Sequence, residues 1–510
     1  MVHSASPLRF TASLALLTAG TAFAGMLCAS GDYRSAAVVT AMSLGAAFLV
    51  AAPVTIEAVL LTWFATTPLA SFYFRYPLDR SIITYNRGVF GLLVIMLLLE
   101  ARPAIASSIE ISGISSSGVR TSFSLSKFEV AWALLSVVAL ANAIAKSNNV
   151  TYAARIAIDT FWLPLFAFYF ARRYFDLRRG GRLLLVGCVA LSLFLFSTGV
   201  FELATGVDLF QYKGAELVRE GERRVNGPFA ADSSFAIICL MLFLFLQPAP
   251  RLLRVRFDRA GKFVYACATV AAALGALLSL FRVVAFALVI CWMAHRWSAH
   301  RNDGRPRLER ATFRRVLPLA SLIVATLIVL GGLLATLAPS ILESRLSDPR
   351  SAFVRLATWQ AASEIALEYP VFGVGLANYA DYYDASHYYS DEPPEEVADT
   401  KAATSPHSNL LWIASELGLS GLALYIAANL YLFLIGWRGF NRSADQRQRI
   451  AASCFLALVL AYWIPGFTLA SGFYSDLNLY FLFLLGALST HFSGVSEVSQ
   501  QSKSAVEFRD

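Results

Sequence analysis

Arg182-Leu-Leu-Leu-Val-Gly-Cys-Val-Ala-Leu-Ser-Leu-Phe-Leu-Phe-Ser-Thr-Gly-Val-Phe-Glu-Leu-Ala204 carries no charge between its first residue and Glu202. Coiled as an α-helix, such a run crosses the roughly 30 Å hydrocarbon core of a bilayer. Continuous Leu, Val, Ala and Phe point to helices, since a closed barrel shows short alternating strands instead. Comparable runs fill 11–30, 35–52, 54–73, 86–103, 128–146, 154–171, 229–248, 262–281, 283–297, 316–338, 408–437, 450–470 and 474–492. The chain therefore predicts an all-α, polytopic transmembrane bundle of about 12–14 spans. The uncertainty in number lies in 35–103 and 262–297. Ala22-Phe23-Ala24 resembles a signal-peptidase site, but the weak basic region before it and the many spans after it favour a retained first helix.

Composition agrees. Of 510 residues, 57% are hydrophobic and only 15% charged, with a mean hydropathy of +0.59, outside the range of soluble domains. Lys and Arg cluster in four loops, led by Arg172, Arg173, Arg178, Arg179 and Arg182, then Arg251, Arg254, Arg256 and Arg259. The third cluster runs from Arg296 to Arg315, and the fourth is Arg438, Arg442, Arg447 and Arg449. An even number of crossings separates the four, so they share one face, expected to be cytoplasmic. The net charge of +8 is then a topological bias and implies no nucleic acid. Arg75, Arg80 and Arg87 fall on the wrong side of this count, which questions the early span boundaries.

The organisation expected is an N-terminal helical part (1–180), central helices (181–338), a long outer loop (339–406), C-terminal helices (407–492) and a cytoplasmic tail (493–510). In the long loop, Arg350 to Tyr369 reads as a mixed-face helix on the membrane surface, stopped before Pro370, with turns at Gly373 and Gly375. The stretch 381–405 is acidic and Tyr-rich, with Tyr382, Tyr383 and Tyr388. It reads either as a solvated loop or as an aromatic wall that stacks on sugars. The six cysteines lie in apolar segments without ligand spacing, which favours packing over disulfides or a metal. No glycine-rich phosphate loop and no inverted repeat stands out.

Pro406-His407-Ser408-Asn409-Leu410-Leu411-Trp412 places a titratable imidazole where the long loop meets an apolar helix. If 407–421 is one helix at about 100° per residue, Leu411, Ala414, Gly418 and Gly421 fall beneath His407 and form a small-residue groove. That means close helix packing, or room for a lipid tail. Glu416 falls on the opposite side, with pairing inside the bundle as its expected role. Two arginines join His407 on the outer face. Arg224 lies in Arg223-Arg224-Val225-Asn226-Gly227-Pro228-Phe229, and Arg282 caps the turn between two apolar arms. Each reads as a headgroup anchor or as an anion ligand.

His407-Ser408, nine residues, then Gly418-Leu-Ser-Gly421 resembles a signature of the bacterial O-antigen ligase and polymerase superfamily. Arg355 with Trp359 and Tyr369 to Tyr379 resemble that family's loop. Arg224-Val-Asn-Gly227-Pro-Phe229 and Ser279-Leu-Phe-Arg282 resemble two of its shorter elements. The likeness spans about 185–480, and the acidic insert at 381–405 departs from the family pattern.

The resemblance implies an inner-membrane glycosyltransferase without cofactor or metal, its site facing the periplasm. The donor would be an undecaprenyl-diphosphate-linked glycan; the acceptor would be lipid A-core or a growing polysaccharide. His407 would take the acceptor proton, and Arg224, Arg282 and Arg355 would hold the diphosphate. Ligase and polymerase share these motifs and stay open together. Glu364, Glu368, Asp232 and Glu416 are rival bases, the last set away from His407 by the helical count. A lipid-glycan flippase is the alternative from another class; it calls for charges along a central path, whereas Glu57, Asp159 and Glu202 look scattered.

Overall fold

A computed structural model describes residues 55–76, 81–110, 125–207, 209–210, 218–219, 222–223, 225–279, 281–300, 350–383, 405–443 and 445–493. The expected spans 11–30, 35–52 and 316–338 lie outside the described residues, as do Arg224, Tyr388 and most of the acidic insert. The architecture is an all-helical bundle, with two short β-hairpins as its only strands among the described residues.

The chain runs α1 (Ile56–Tyr73), the hairpin β1 (Arg75–Tyr76) with β2 (Ile83–Thr84), α2 (Tyr85–Glu110), α3 (Lys127–Lys146), α4 (Val150–Tyr174) and α5 (Gly181–Thr205). A second hairpin, β3 (Val218–Arg219) with β4 (Glu222–Arg223), precedes α6 (Asp232–Leu246), the short α7 (Ala249–Leu253), α8 (Arg259–Leu278) and α9 (Arg282–His300). Then come α10 (Arg350–Glu368), the short α11 (Tyr379–Tyr383), α12 (Asn409–Arg442), α13 (Gln446–Gly466) and α14 (Ser475–Ser493). Six of the described helices, α3, α4, α5, α8, α12 and α13, are long and apolar enough to cross a membrane. The chain is a multi-pass membrane protein.

Local chemistry sets the ends of these helices. Ser126 and Glu129 form a reciprocal capping box at the start of α3. Gly206, with φ of 70°, stops α5. α6 begins three residues later than expected because Gly227, at φ 54°, and Pro228 turn the chain first.

Antiparallel packing gives the bundle two distinct ends. At one, Gly181 meets the side chain of Leu253, Gly439 meets Phe492, and Arg172 pairs with Glu129. This end gathers the arginines of 172–182, 251–259 and 438–449. At the other, Phe72 meets Phe210, Val225 and Leu278 lie about Gly199, and Asn409 meets Gly472. Three of the four basic clusters thus share one end, and Arg301 to Arg315 of the other lie outside the described residues.

α1 and α2 cover the expected spans 54–73 and 86–103, and the position of Arg87 has a local cause. That residue lies at the start of α2 and makes a two-pronged ion pair with Asp159, 2.7 Å from Nε and 2.6 Å from Nη2. It also donates to the carbonyls of Ser81 and Ile82. A cation neutralised in this way is no measure of topology. Asp159 lies in the first part of a π turn in α4, Ile158–Trp162. Such a turn frees carbonyls from the helical ladder. The indole of Trp132 takes up that of Phe161 at 2.8 Å, and the amide of Asn478 that of Thr160 at 3.4 Å. Removing Arg87 leaves Asp159 partly buried and unpaired. Arg87→Ala is therefore expected to destabilise by about 2–4 kcal/mol, and the double variant Arg87→Met/Asp159→Leu by less than that. The thermal unfolding midpoint of detergent-solubilised protein checks the order; a double variant less stable than Arg87→Ala contradicts it.

Candidate functional site

His407 is not on a helix. Its φ is 49°, a left-handed conformation uncommon outside glycine. Ser408 is extended, with φ of −154°, and α12 begins only at Asn409. The imidazole is half-buried. The helical count that put Ala414, Gly418 and Gly421 beneath it therefore fails twice, once at this bend and again at Gly418. All three small residues are buried. The space beside Gly418 is filled by backbone, not left as a groove: a Cβ there would lie 2.5 Å from the carbonyl carbon of Val371.

The end of the chain's polar turn is held firmly. Asn409, buried, accepts the amide of Gly472 at 2.7 Å and donates to the hydroxyl of Ser471 at 3.3 Å. Asn478 in turn donates to the carbonyl of Gly472 at 2.7 Å. One turn further along α12, Trp412 stacks on Phe161 with centroids 5.9 Å apart, and its edge meets Phe473.

The central feature lies deeper. Gly418 has φ 68° and ψ −169° and interrupts α12. In an unbroken helix the amides of Leu419 and Ser420 would donate to the carbonyls of Ser415 and Glu416. Here Leu419 donates to Pro370 at 2.7 Å and Ser420 to Val371 at 3.3 Å. The freed carbonyls of Ser415 and Glu416 accept from Val374 at 2.9 Å and Gly375 at 3.1 Å. The loop segment Tyr369-Pro370-Val371-Phe372-Gly373-Val374-Gly375 thus takes up both of these amides and both of these carbonyls. Close approach requires glycine on both sides, since a Cβ at Gly373 would sit 2.4 Å from the carbonyl carbon of Glu416.

Residues not singled out in the sequence complete the clamp. Asn142 on α3 donates to the carbonyl of Phe372 at 2.6 Å and accepts the amide of Leu376 at 2.7 Å. Lys146, one turn on, donates to the carbonyl of Gly373 at 2.9 Å. Ser147 donates to the carbonyl of Leu376, and the amide of Asn148 to the side chain of Asn378. The signal for this was the polar run Lys146-Ser147-Asn148-Asn149 closing an otherwise apolar span.

Glu416 has a different role from the one expected. It is buried, and its partners are not cations. Oε2 accepts the Ala377 amide at 2.9 Å and the Trp412 indole at 2.8 Å; Oε1 accepts the Tyr379 amide at 3.2 Å. The rival bases Glu364 and Asp232 are occupied close by, with Gln360 at 2.9 Å and the Ser233 amide at 2.8 Å.

The remaining candidates fall into two groups. Arg355 lies half-buried on α10, which packs against α12. The hydroxyl of Tyr379 donates to the carbonyl of Thr358 at 3.0 Å, tying that helix to the loop. Tyr383 is a correction: it is 1% exposed, stacks on Tyr379 and packs with Ala361, Ala362, Ile365 and Val374, so it offers no surface to a sugar. Tyr382 is half-buried, its ring against Tyr369. The second group is the pair of arginine turns. Glu202, buried on α5, accepts the amides of Asn226 at 3.2 Å and Gly227 at 2.8 Å, which fixes the turn that follows Arg224. A Cβ on Gly199 would meet both Val225 and Leu278, so this turn and the end of α8, four residues before Arg282, lie against one another. Arg282 is exposed at the first position of α9. Phe229 packs on Tyr480 of α14, the helix whose Asn478 reaches Gly472 and so the Asn409 turn. No cluster of His, Cys, Asp or Glu able to hold a metal occurs among the described residues.

Bundle and site together define a polytopic helical membrane protein with a polar, arginine-bearing end opposite its basic loops. Residues 263–426 match the family model described as O-antigen ligase. That segment runs from α8 past the Gly418 break and contains Arg282, Arg355 and His407. The match supports membership of the O-antigen ligase/polymerase superfamily and an O-antigen ligase-type function. No curated protein sequence matches the chain.

The loop-to-break contact generates a sharp expectation. Gly418→Ala or Gly373→Ala is expected to destabilise by about 3 kcal/mol or more, because each meets backbone at a left-handed position. Gly91→Ala, where a Cβ would meet nothing within 4 Å, is expected to be neutral or slightly stabilising. Thermal unfolding of the three variants in one detergent checks this. Equal midpoints for Gly91→Ala and Gly418→Ala contradict the docking geometry.

Proposed function

We propose that the protein is an inner-membrane glycosyltransferase that moves a glycan from an undecaprenyl-diphosphate carrier to an acceptor sugar at the periplasmic face. The acceptor is lipid A-core in a ligase or a second lipid-linked chain in a polymerase. The observation that carries this reading is that the family match spans His407, Arg282 and Arg355, with His407 held half-buried in a left-handed bend at the arginine-bearing end.

His407 acts as general base. An imidazole titrates near roughly pH 6.5 in its unperturbed state and so takes a hydroxyl proton at working pH. The acceptor oxygen attacks the anomeric carbon as the bond to the diphosphate breaks, and a single displacement inverts that centre. Negative charge grows on the leaving diphosphate. Arg282 supports the reading by its position, since a cation at the positive end of a helix dipole is unfavourable until an anion joins it. Arg224 and Arg355 are assigned to the same diphosphate, for which guanidinium offers paired donors. Tyr382 and Tyr388 are assigned to the glycan. The surrounding membrane lipids provide the carrier's route to the site.

The test is reconstitution of purified protein with undecaprenyl-diphosphate glycan and each candidate acceptor, wild type beside His407→Ala. The expected result is product from the wild type and a fall in kcat of about 10²–10⁴-fold in the variant. A ladder of products identifies a polymerase and one transfer a ligase. Full activity in His407→Ala removes the base assignment. Movement of labelled carrier across vesicles without product replaces the transferase with a flippase.

A further inference from the structure

Among the described residues the Glu416 carboxylate has three N–H donors and no cation: the Ala377 and Tyr379 amides and the Trp412 indole. Two of these come from the loop and one from its own helix. The carboxylate therefore bridges the broken stretch of α12 to the chain that leads back to α10. From Tyr379 the path is short. Its hydroxyl holds the Thr358 carbonyl at 3.0 Å, and the Thr358 hydroxyl holds the Arg355 carbonyl at 3.0 Å. Around that path Ala361, Ala362, Ile365, Val374, Tyr379 and Tyr383 form their own small buried cluster, separate from the main core. The turn that carries His407 has a further anchor in Asn409, which bonds Ser471 and Gly472, and Trp412 touches both sets through Glu416 and Phe473.

We infer that Glu416 is a positioning residue that sets the Arg355-bearing helix against the donor site, while the His407 turn keeps its own anchor. The inference rests on the transferase reading for its kinetic consequence. Its structural part stands on the contacts alone.

The need for a carboxylate, and not merely a polar group, follows from the donors. Both oxygens accept, and no acceptor faces either of them among these three partners. A glutamine replaces one oxygen with an NH₂ group, which would confront an N–H that it cannot accept. One loop amide or the indole is then left buried without a partner. Glu416→Gln keeps the volume and polarity of the side chain and removes only this acceptor. Tyr379→Phe is the complementary change further along the path, since it keeps the ring in its cluster and deletes the bond to Thr358.

The kinetic signature separates positioning from a general loss of fold. Glu416→Gln is expected to raise the donor KM by about tenfold or more with kcat within about threefold of wild type. Tyr379→Phe is expected to shift KM in the same direction by less. His407→Ala, by contrast, acts on kcat. Hydrogen exchange on the same proteins reads the anchor directly. In Glu416→Gln the amides of Ala377 and Tyr379 are expected to exchange about tenfold faster or more, with peptides of α13 and α14 unchanged.

The two measurements fail differently. If the wild type transfers no glycan, the transferase reading falls, and exchange together with binding of undecaprenyl diphosphate decides the inference. Faster exchange at 374–383 with weaker lipid binding in Glu416→Gln supports it. Unchanged exchange, or a fall in kcat with KM and lipid binding untouched, overturns it.

Discussion

Backbone amides and carbonyls buried in a membrane protein need partners inside the protein. A helix can be broken there only if something else completes its ladder. In this chain that constraint is met at Gly418, where Pro370, Val371, Val374 and Gly375 take the four bonds that Ser415, Glu416, Leu419 and Ser420 give up. Left unmade, each would cost about 1–3 kcal/mol. The loop and the broken helix are consequently one unit. Neither has a satisfied backbone without the other, and α3 locks the pair through Asn142 and Lys146.

The same economy of partners recurs around the site end. The π turn in α4 frees carbonyls that Trp132 and Asn478 take up, and it carries Asp159 to Arg87. Glu202 receives the turn that follows Arg224. Glu129 satisfies its own helix cap and Arg172 at the opposite end. These buried charges hold turns and helix ends in place. They do not form a row through the bundle, which is the arrangement a charged translocation path calls for. The exposed Arg282 stands apart from them as a cation at a helix start.

Much of this was legible in the sequence because hydropathy is a sum over many residues. The helices at Lys127–Lys146, Gly181–Thr205 and Gln446–Gly466 lie within a few residues of the apolar runs, and the stop of α10 at Glu368 falls where Pro370 requires it. His407 and Arg282 are visible as polar groups at the margins of apolar runs, and Arg355 through the resemblance of its loop. The break at Gly418 was not. A glycine followed by Leu-Ser-Gly reads as a tolerated small residue within a helix, and nothing local announces that its carbonyl neighbours will be paired from the loop some forty positions earlier. For the same reason Glu416 reads as a bundle residue, and nothing in the span 128–146 marks Asn142 and Lys146 as partners of a distant loop. Tyr383 was taken for a surface aromatic because its partners, Ala361, Ala362 and Ile365, lie a helix away in sequence. Arg87 was miscounted because its partner Asp159 is distant in the chain.

The most direct test of the account is an experimental structure of the protein in lipid with undecaprenyl diphosphate bound. The account predicts diphosphate density at the end of the bundle that carries His407, within hydrogen-bonding reach of Arg282 and Arg355. It also predicts the Pro370–Gly375 segment still paired with the Gly418 break. Diphosphate bound at the basic end, or an α12 that runs unbroken through Gly418 with the loop detached, would contradict it.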